Sequence, residues 1–427
     1  GRPCRATYAN VVGVGLFASL PMVFDPHISL ANAFFETLSG ITTTGATVLS
    51  HLDKASPGLL IWRSMLHWLG GIGFIAMAVA VLPVLRVGGM RLFQTESSDW
   101  SEKVTPRSHI AAKYIVGIYI VFTLTAIAAF RWSGMTLFDA INHAMSSVAT
   151  GGFSTSDQSM GKFPHASHWV AIFYMLLGSL PFVLYVAVVR GNHRALFKDQ
   201  QVRGFLGLVL VVSAICSLWY WLHSDNSSLD AIRIATFHVV SVLSTTGFAL
   251  NDYSAWGSFA VMAFFYLTFI GGCSGSTTGG LKVFRFQVAY TMLCAYLQQL
   301  VHPRAVIRQH YNGHHLDEEI VRSIWSFTFF FTLTIAVLAL SLAFLGLDMI
   351  TALTGAAAAV CNVGPGLGNI IGPVGNYASV PEAAKILLAI GMLLGRLEII
   401  TVLILITPAF WQHWSADLYW HALTDFA

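Results

Sequence analysis

The stretch Ile41-Thr42-Thr43-Thr44-Gly45-Ala46-Thr47 follows a short apolar segment that runs from Leu30 to Gly40. That segment is too short to cross a bilayer as a helix, which takes roughly 20 apolar residues. Backbone without helical hydrogen bonds at membrane depth must be buried in protein or must line water. The stretch therefore predicts a half-length helix that ends in an irregular backbone segment inside a membrane protein.

The same arrangement recurs three times along the chain, each time after another short apolar segment. The recurrences are Ser147–Phe153, Leu243–Phe248 and Val360–Pro365. The glycines that align the four copies are Gly45, Gly152, Gly247 and Gly364, at spacings of 107, 95 and 117 residues. One glycine motif carries little information, but four copies between a half-length and a full-length helix indicate a repeat architecture.

Composition places the chain in the membrane class. Of its 427 residues, 56% are hydrophobic and only 10% are charged, against about 25% charged in soluble domains. Mean hydropathy is +0.68. The net charge of +3 is too small to indicate nucleic-acid binding, and the five cysteines form no CxxC pair. We therefore expect an all-α membrane protein, with neither a disulfide framework nor a cysteine metal site.

Each repeat is predicted to run helix, half-helix, filter, helix. The predicted repeats span residues 1–90, 91–200, 201–310 and 311–427. The full helices are expected at residues 8–22, 59–85, 110–130, 169–189, 205–222, from 258, 324–345 and 383–406. Asp139, Asp230 and Asp348 lie near the starts of three half-helices, with Asn32 in that place in the first, and are expected to cap free N–H groups there. The partly negative helix ends then point toward the filters, which favours a cation.

Backbone carbonyls of the four filters are the candidate cation ligands, because a ring of carbonyls can replace the water around an ion. Glycine suits this role because a positive φ is strain-free only for that residue. Helix-packing glycines or simple turns are the alternative interpretation. No filter carries Asp or Glu, so a ring of carboxylates selective for divalent ions is not expected. The candidate ligands are Thr43, Thr44, Gly45, Thr150, Gly151, Gly152, Thr245, Thr246, Gly247, Asn362, Val363 and Gly364.

A second site interrupts the last helix of repeat three. Ten consecutive small residues cannot form a rigid helix there, and the segment is predicted to lie below the third filter as a movable gate. A static kink is the alternative. A phosphate-binding loop is disfavoured because the Walker spacing is absent and Lys282 lies at the wrong offset. The predicted gate residues are Gly271, Gly272, Cys273, Ser274, Gly275, Ser276, Thr277, Thr278, Gly279 and Gly280.

Arg396, in Gly395-Arg396-Leu397-Glu398, is assigned to the gate as well. An ionisable group within a membrane span is a functional hypothesis by default. We expect Arg396 to hydrogen-bond the carbonyls of the Gly/Ser loop and to repel a cation below the filter. The alternative is an ion pair with Glu398, but residues two apart on a helix face different sides.

The remaining polar residues carry weaker signals. His67, His143 and His238 are interpreted as hydrogen-bonded packing groups rather than proton relays. The sequence has no Gly-x-Ser-x-Gly or His-Glu-x-x-His motif and so offers no support for an enzyme. Most Lys and Arg residues lie between repeats, for example Arg86 and Arg194. The positive-inside rule therefore predicts cytoplasmic inter-repeat loops and filters that open outward.

Several motifs together resemble the TrkH family of bacterial potassium-uptake proteins, within the Trk/Ktr/HKT superfamily of cation transporters. They are Phe34-Phe35-Glu36, Gly40–Thr47, Trp68–Gly73, Gly271–Lys282 and Gly395–Glu398. The resemblance covers the whole chain and implies four repeats arranged with pseudo-fourfold symmetry around one pore. It also implies a homodimer in the inner membrane and a cytoplasmic nucleotide-binding regulatory ring of the TrkA type. Family members usually carry a further N-terminal helix pair, so we expect a longer natural chain.

The resemblance implies K⁺ as the transported ion, bound at the filter carbonyls, and no other cofactor. In plant relatives a serine at the first filter glycine accompanies a preference for sodium, so Gly45 points to potassium. Moving one charge across 100 mV is worth about 2.3 kcal/mol, so passive conduction would suffice for uptake. A proton- or sodium-coupled symporter is the alternative, and it would need a titratable group or a second cation site on the pathway.

Overall fold

In the computed structural model of the chain, the described residues are 15, 17–23, 28–80, 104–304, 307 and 309–399. The part of repeat one before its half-helix is seen as the helical residues 17–23. Predictions for residues 1–14, for the loop around residue 90 and for residues 400–427 lie outside the described part of the chain. The predicted repeat boundaries stay predictions.

Short and long helices alternate as the sequence predicts. The four half-helices are Leu30–Ile41, Leu137–Val148, Ser228–Leu243 and Met349–Val360. The longer helices are Pro57–Ala80, Val104–Trp132, Gln200–Leu222, Val283–Val301 and Glu318–Phe344. The remaining helices are His165–Ser179, Phe182–Val189, Ala195–Lys198, Ser258–Phe269 and Glu382–Arg396, with 3₁₀ turns at Leu52–Lys54, Ser159–Lys162 and Tyr253–Trp256.

Four of the described helices are long and apolar enough to cross a membrane. A further span is possible if His165–Ser179 and Phe182–Val189 are counted together. Their outer faces expose large apolar side chains such as Leu210 and Leu340, whereas the half-helices are mostly buried. Since lipid tails are as apolar as these side chains, the chain is a multi-pass membrane protein.

The half-helices begin with similar side-chain caps. Ser29, Thr136 and Ser227 each accept a hydrogen bond from the backbone N–H three residues on. Asp348 does the same for Thr351. Asp139 and Asp230 are therefore not the capping residues but occupy the third helical position, where their carboxylates accept hydrogen bonds from the hydroxyls of Thr136 and Ser227. The predicted cap is right for Asp348, whereas the observed caps lie three residues before the predicted Asn32, Asp139 and Asp230.

One predicted helix is broken. The span expected over residues 169–189 bends by 91° between His165–Ser179 and Phe182–Val189. Pro181 explains the break, because proline has no N–H and its ring clashes with the preceding turn. Likewise the last helix, expected over residues 383–406, ends at Arg396, and Glu398 takes a φ of 61°. The breaks leave helix carbonyls free for other partners.

Two pairs of very short strands complete the described structure. Ile270–Gly271 pairs in parallel with Leu281–Lys282. His310–Tyr311 pairs antiparallel with His314–His315. The first pair joins the two ends of the Gly/Ser segment, so residues 271–280 form a closed loop, which we call the intramembrane loop. The second pair forms a hairpin between repeats three and four.

Candidate functional site

The four half-helices end in the same backbone motif. The N–H of Thr44 donates to the Ser39 carbonyl over 2.8 Å, and the N–H of Thr43 donates to the Gly40 carbonyl over 3.0 Å. This is the Schellman pattern of helix termination. It recurs at the second, third and fourth filters with donors Thr150 and Gly151, Thr245 and Thr246, and Asn362 and Val363. The repeat predicted from sequence is therefore a repeat in hydrogen bonding.

Each filter has two residues with positive φ. The aligned glycines were predicted to have it, and Gly45, Gly152, Gly247 and Gly364 take φ values of 81°, 88°, 81° and 97°. The residue two positions earlier also has a positive φ, which sequence reasoning missed. Those residues are Thr43, Thr150, Thr245 and Asn362, at 51° to 54°. A β-branched residue rarely adopts this conformation, and such strain persists where the surroundings over-determine it.

The four filters form a closed ring. A Cβ added to the aligned glycine of one filter would overlap the carbonyl oxygen of the middle residue of the next filter. The successive pairs are Gly45 with Gly151, Gly152 with Thr246, Gly247 with Val363, and Gly364 with Thr44. The fourth filter returns to the first, so the segments surround one axis. The structure thus brings all twelve candidate ligands together, and it places no carboxylate among them.

Side chains on the half-helices brace the chain that leaves each filter. The Glu36 carboxylate accepts the N–H of Val48 over 2.9 Å. His143 Nε2 lies 2.9 Å from the hydroxyl of Ser154. His238 Nε2 lies 3.1 Å from the Leu250 nitrogen. Glu36, His143 and His238 all lie nine residues before their filter glycine. They hold the chain that follows the first three filters, and the hydrogen bonds of His143 and His238 agree with their interpretation as packing groups.

Glu36 is buried with its counter-ion, Arg63. Arg63 Nε donates to Glu36 Oε1 over 2.7 Å, and both side chains are at most 1% exposed. The guanidinium also donates to the Ser154 carbonyl over 3.2 Å and to the Thr47 hydroxyl over 3.1 Å. Arg63 therefore ties the first filter to the second. The buried charge of Glu36 is thus balanced by the charge of Arg63.

His67 fits beside the second filter. Its ring stacks on Phe153 with centroids 4.0 Å apart, and its Nδ1 lies 3.2 Å from the Ser146 hydroxyl. A Cβ on Gly151 would overlap the His67 ring. His67 accordingly explains why the second filter has glycine where the first and third have threonine.

The intramembrane loop is held by carbonyls that the bend at Pro181 sets free. Cys273 donates its N–H to the Ser179 carbonyl over 2.9 Å, and Thr277 donates its N–H to the Gly178 carbonyl over 3.1 Å. Every residue from Gly271 to Gly280 except Gly275 and Gly280 is buried. The loop of repeat three is thus docked on the broken helix of repeat two.

The loop also contacts three of the filters directly. Gly279 donates its N–H to the Thr245 hydroxyl over 2.7 Å. The hydroxyls of Thr150 and Thr277 are 3.0 Å apart. A Cβ on Gly279 would lie 2.8 Å from Asn362 Cβ. By contrast, Thr43 Oγ1 and Asn362 Oδ1 have no hydrogen-bond partner within the described part of the chain. The loop is therefore hydrogen bonded to two of the four polar side chains at the end of the ring where the half-helices stop.

Arg396 does not make the predicted hydrogen bonds to the loop. Its guanidinium is buried, and none of its nitrogens has a hydrogen-bond partner among the described residues. The guanidinium carbon lies 4.1 Å from the centroid of the Phe74 ring, and Lys282 Nζ lies 5.4 Å from the same centroid. Lys282 instead donates to the carbonyl of Thr278. A cationic side chain thus holds the loop as expected, but it is Lys282, at the end of the loop, and not Arg396.

Glu398 pairs with another residue, so the Arg396–Glu398 alternative is wrong. Arg285 Nη2 lies 3.0 Å from Glu398 Oε2, and both side chains are buried. Arg285 follows the intramembrane loop in sequence, and sequence reasoning missed it. Among Lys282, Arg285 and Arg396 only Arg285 has a carboxylate partner in the described structure, which leaves excess positive charge beside the loop.

The chain is similar to known proteins over almost its whole length. The family profile TrkH, described as a cation transport protein, matches residues 8–413. The Trk system potassium uptake protein TrkI of Halomonas elongata is 54% identical over 409 residues, covering 95% of this chain and 83% of TrkI. The Trk system potassium uptake protein TrkH of Vibrio parahaemolyticus is 39% identical, covering 93% and 84%.

The fold is also that of a solved structure. The crystal structure of the potassium transporter TrkH from Vibrio parahaemolyticus matches with a TM-score of 0.85 at 38% identity, covering 93% of this chain and 83% of that chain. The predicted resemblance is confirmed, as is the all-helical membrane fold. The relatives are transport proteins and not enzymes, in agreement with the lack of catalytic motifs. This chain belongs to the TrkH family of cation transport proteins.

Proposed function

We propose that the chain carries potassium into the cell through a gated, channel-like pore. The closed ring of four filter segments is the observation that carries this proposal. Its relatives are named potassium uptake proteins. The carbonyls and polar side chains of the twelve filter residues would replace the hydration shell of K⁺, since hard oxygen ligands suit an alkali cation.

The filters are shorter than those of potassium channels and carry fewer stacked carbonyls. Potassium and rubidium flux should therefore greatly exceed sodium flux, by less than in a potassium channel. The membrane potential would drive uptake, because a potential of about 140 mV is worth roughly 3.2 kcal/mol per charge. Symport is the weaker candidate, since Glu36 and Glu398 are both paired with arginines.

The intramembrane loop is the proposed gate. It lies against the inner end of three filters and is held there by hydrogen bonds that a modest displacement would break. Arg396 and Lys282 flank Phe74 beside the loop and would add an electrostatic barrier to cations. The inter-repeat loops are proposed to be cytoplasmic, where a TrkA-like nucleotide-binding ring would act on the gate of a homodimer in the bacterial inner membrane.

Ion flux in proteoliposomes tests selectivity and driving force. With an inside-negative potential, we expect ⁸⁶Rb⁺ uptake that potassium competes with and that sodium inhibits only weakly. Equal sodium and rubidium flux would overturn the filter assignment. Single-channel recording then distinguishes conduction from symport, because ohmic openings are incompatible with a stoichiometric carrier.

The gate assignment has a separate test. Deleting residues 275–279 of the loop, or making Arg396→Ala, should raise flux in the absence of any partner. Both variants would still discriminate rubidium from sodium, since the filters are intact. If neither change alters flux while selectivity is normal, the loop is a static structural kink and the gate proposal is wrong.

A further inference from the structure

Two consecutive glutamines at the start of helix Gln200–Leu222 bind two different structures. Gln201 is fully buried, and its side-chain oxygen accepts the backbone N–H of Ser274 over 2.7 Å. Ser274 lies in the intramembrane loop. Gln200 instead binds the hairpin of residues 310–315. Adjacent residues in the first turn of a helix are fixed relative to each other by the backbone. The loop and the hairpin are therefore both attached to the first turn of helix Gln200–Leu222.

Three hydrogen bonds, all made by Asn312, hold the hairpin against this helix start. Gln200 donates its N–H to Asn312 Oδ1 over 2.8 Å, and the N–H of Asn312 donates to Gln200 Oε1 over 3.1 Å. Asn312 Nδ2 donates to Asp199 Oδ2 over 2.7 Å. Asp199 also caps the helix through the N–H of Val202, over 2.8 Å. The same carboxylate therefore stabilises both the helix start and the hairpin.

The turn of the hairpin is stiff. Asn312 and Gly313 have φ values of 53° and 83°, and the strands pair directly on either side of them. Asn-Gly with two positive φ angles is typical of the tight turn whose twist matches that of the strands. A displacement of the hairpin would therefore be transmitted rather than absorbed by the turn.

A second connection reaches the other end of the loop. Tyr311 is fully buried, and its hydroxyl donates to Gln287 Oε1 over 2.6 Å. Gln287 Nε2 donates to the Gln200 carbonyl over 3.2 Å. Gln287 belongs to helix Val283–Val301, which begins directly after the strand Leu281–Lys282 that closes the loop. The hairpin is thus bonded to elements that contact both Ser274 and the base of the loop.

We infer that the hairpin sets the position of the intramembrane loop, with Asn312 and Gln201 as positioning residues for the gate. This inference rests on the proposed function of the loop. Movement of the hairpin pulls the first turn of helix Gln200–Leu222, and Gln201 carries the movement to Ser274. A force applied to the hairpin at the membrane surface would then open or close the pore through these hydrogen bonds.

The native thiol of Cys273, which is fully buried in the loop, reports loop displacement. The full-length protein is treated with a small charged methanethiosulfonate reagent, and modification at Cys273 is followed by mass spectrometry. We expect Asn312→Ala and Gln201→Leu each to speed modification about fivefold, the effect of losing about one net hydrogen bond, and to raise basal ⁸⁶Rb⁺ flux. In the double variant, the increase in the rate of Cys273 modification should be smaller than the product of the increases in the two single variants, because both residues act through one chain of contacts.

Gln298→Ala is the matched control. Gln298 is an exposed amide on helix Val283–Val301 that takes no part in these contacts, and its removal should change neither modification nor flux. Gel filtration checks that Gln201→Leu folds, and Asn312→Ala is an independent test because Asn312 is only half-buried. If deletion of loop residues 275–279 raises flux while both positioning variants label like the native chain, the inference is wrong and the gate proposal stands. If the deletion also leaves flux unchanged, the gate proposal fails first.

Discussion

The backbone N–H of Gly279 donates to the hydroxyl oxygen of Thr245 over 2.7 Å, so the intramembrane loop is hydrogen bonded to the third filter. The acceptor is one of four aligned side chains at the end of the ring where the half-helices stop. A cation bound to that oxygen would compete with the loop for it. If the loop is the gate as proposed, its docked position and a bound ion would compete for the same hydroxyl oxygen.

Replacing Thr245 by valine should loosen the loop. Valine has the shape of threonine but cannot accept the N–H of Gly279, which is left buried without a partner. A buried unsatisfied group costs about 1–3 kcal/mol, so the docked loop should open at least about fivefold more often. Modification of Cys273 measures this directly, even if ion flux changes for reasons within the filter.

Thr245→Ser is the control for this prediction, since it keeps the hydroxyl and loses only a methyl group. Its rate of Cys273 modification should remain near that of the native chain. Equal acceleration in the serine and valine variants would show that packing, and not the hydrogen bond to Gly279, holds the loop.

The aligned filter glycines should not tolerate alanine. At Gly45, for example, a Cβ would overlap the Gly151 carbonyl, and φ is 81°. Gly257 provides a control, because its φ is 100° but no atom of the described residues lies within 4 Å of its Cβ position. We expect Gly45→Ala to abolish ⁸⁶Rb⁺ flux and Gly257→Ala to cost only the backbone strain of about 1–3 kcal/mol. Normal flux in Gly45→Ala would contradict the ring of carbonyls.

The repeat could be predicted from sequence because it depends on local patterns. Short apolar runs followed by Thr and Gly placed the half-helices within a few residues and identified the glycines with positive φ. Even so, the left-handed conformation of Thr43 escaped prediction, because nothing in its residue type favours it. The break at Pro181 did have a sequence signal, which the length and apolarity of the segment outweighed.

Contacts between repeats were beyond sequence reasoning. The predicted bonds from Arg396 to the loop are made by Lys282, and Glu398 pairs with Arg285 rather than with its neighbour in sequence. Such pairings depend on how helices from different repeats pack, which no local periodicity encodes. The ion pair of Glu36 and Arg63 is a further example, since each residue alone looked like an isolated charge in an apolar segment.

Arg63 should be among the most important residues for stability. Removing one partner of a buried ion pair costs about 3–5 kcal/mol, because the other charge is left uncompensated. We expect Arg63→Ala to unfold at a much lower temperature in detergent than the native chain. The double change Glu36→Gln with Arg63→Met should be more stable than Arg63→Ala, since it leaves no buried charge. Arg131→Ala, at an exposed arginine, should have little effect, and a similar loss there would argue against a specific role for the pair.

Tyr377 should influence ion selectivity. Its hydroxyl donates to the carbonyl of Gly364 over 2.8 Å, and its N–H donates to the Thr47 carbonyl over 2.8 Å. Tyr377→Phe removes the first bond, so that the carbonyl of Gly364 in the fourth filter loses this donor. We expect the ratio of rubidium to sodium flux to fall by up to about fivefold, the factor carried by about 1 kcal/mol.

Tyr266→Phe is the control, because it removes the hydroxyl of an exposed side chain on helix Ser258–Phe269 that takes no part in the filter contacts described above. Its flux ratio should match that of the native chain. If Tyr377→Phe also retains the native ratio, the orientation of the Gly364 carbonyl does not depend on this hydroxyl.

The outer connections of the first two filters should respond to pH. Lys162 Nζ lies 2.5 Å from Asp53 Oδ1, which links the turn Leu52–Lys54 to the turn Ser159–Lys162. The hydrogen bond from Lys162 lowers the pKa of the Asp53 carboxyl below 3.8, and the same bond raises the pKa of Lys162 above 10.5. The contribution of Asp53 to stability is thus present above its unfolded pKa and is lost as pH falls through the lower folded value. That of Lys162 is present below its unfolded pKa and is lost as pH rises through the higher folded value.

Thermal unfolding in detergent between pH 3 and pH 11 measures this contribution. Both groups are about half exposed, so solvent screens the pair and its worth is about 0.2–1 kcal/mol. The native chain should exceed Asp53→Asn in stability by that amount between about pH 5 and pH 9, and the difference should shrink below about pH 4. Lys54→Ala removes a neighbouring exposed charge that has no ion pair among the described residues, and it should show no such pH dependence. A difference between native and Asp53→Asn that stays constant down to pH 3 would mean that the asparagine perturbs the turn itself, because an ion pair cannot stabilise the fold once its carboxylate is protonated.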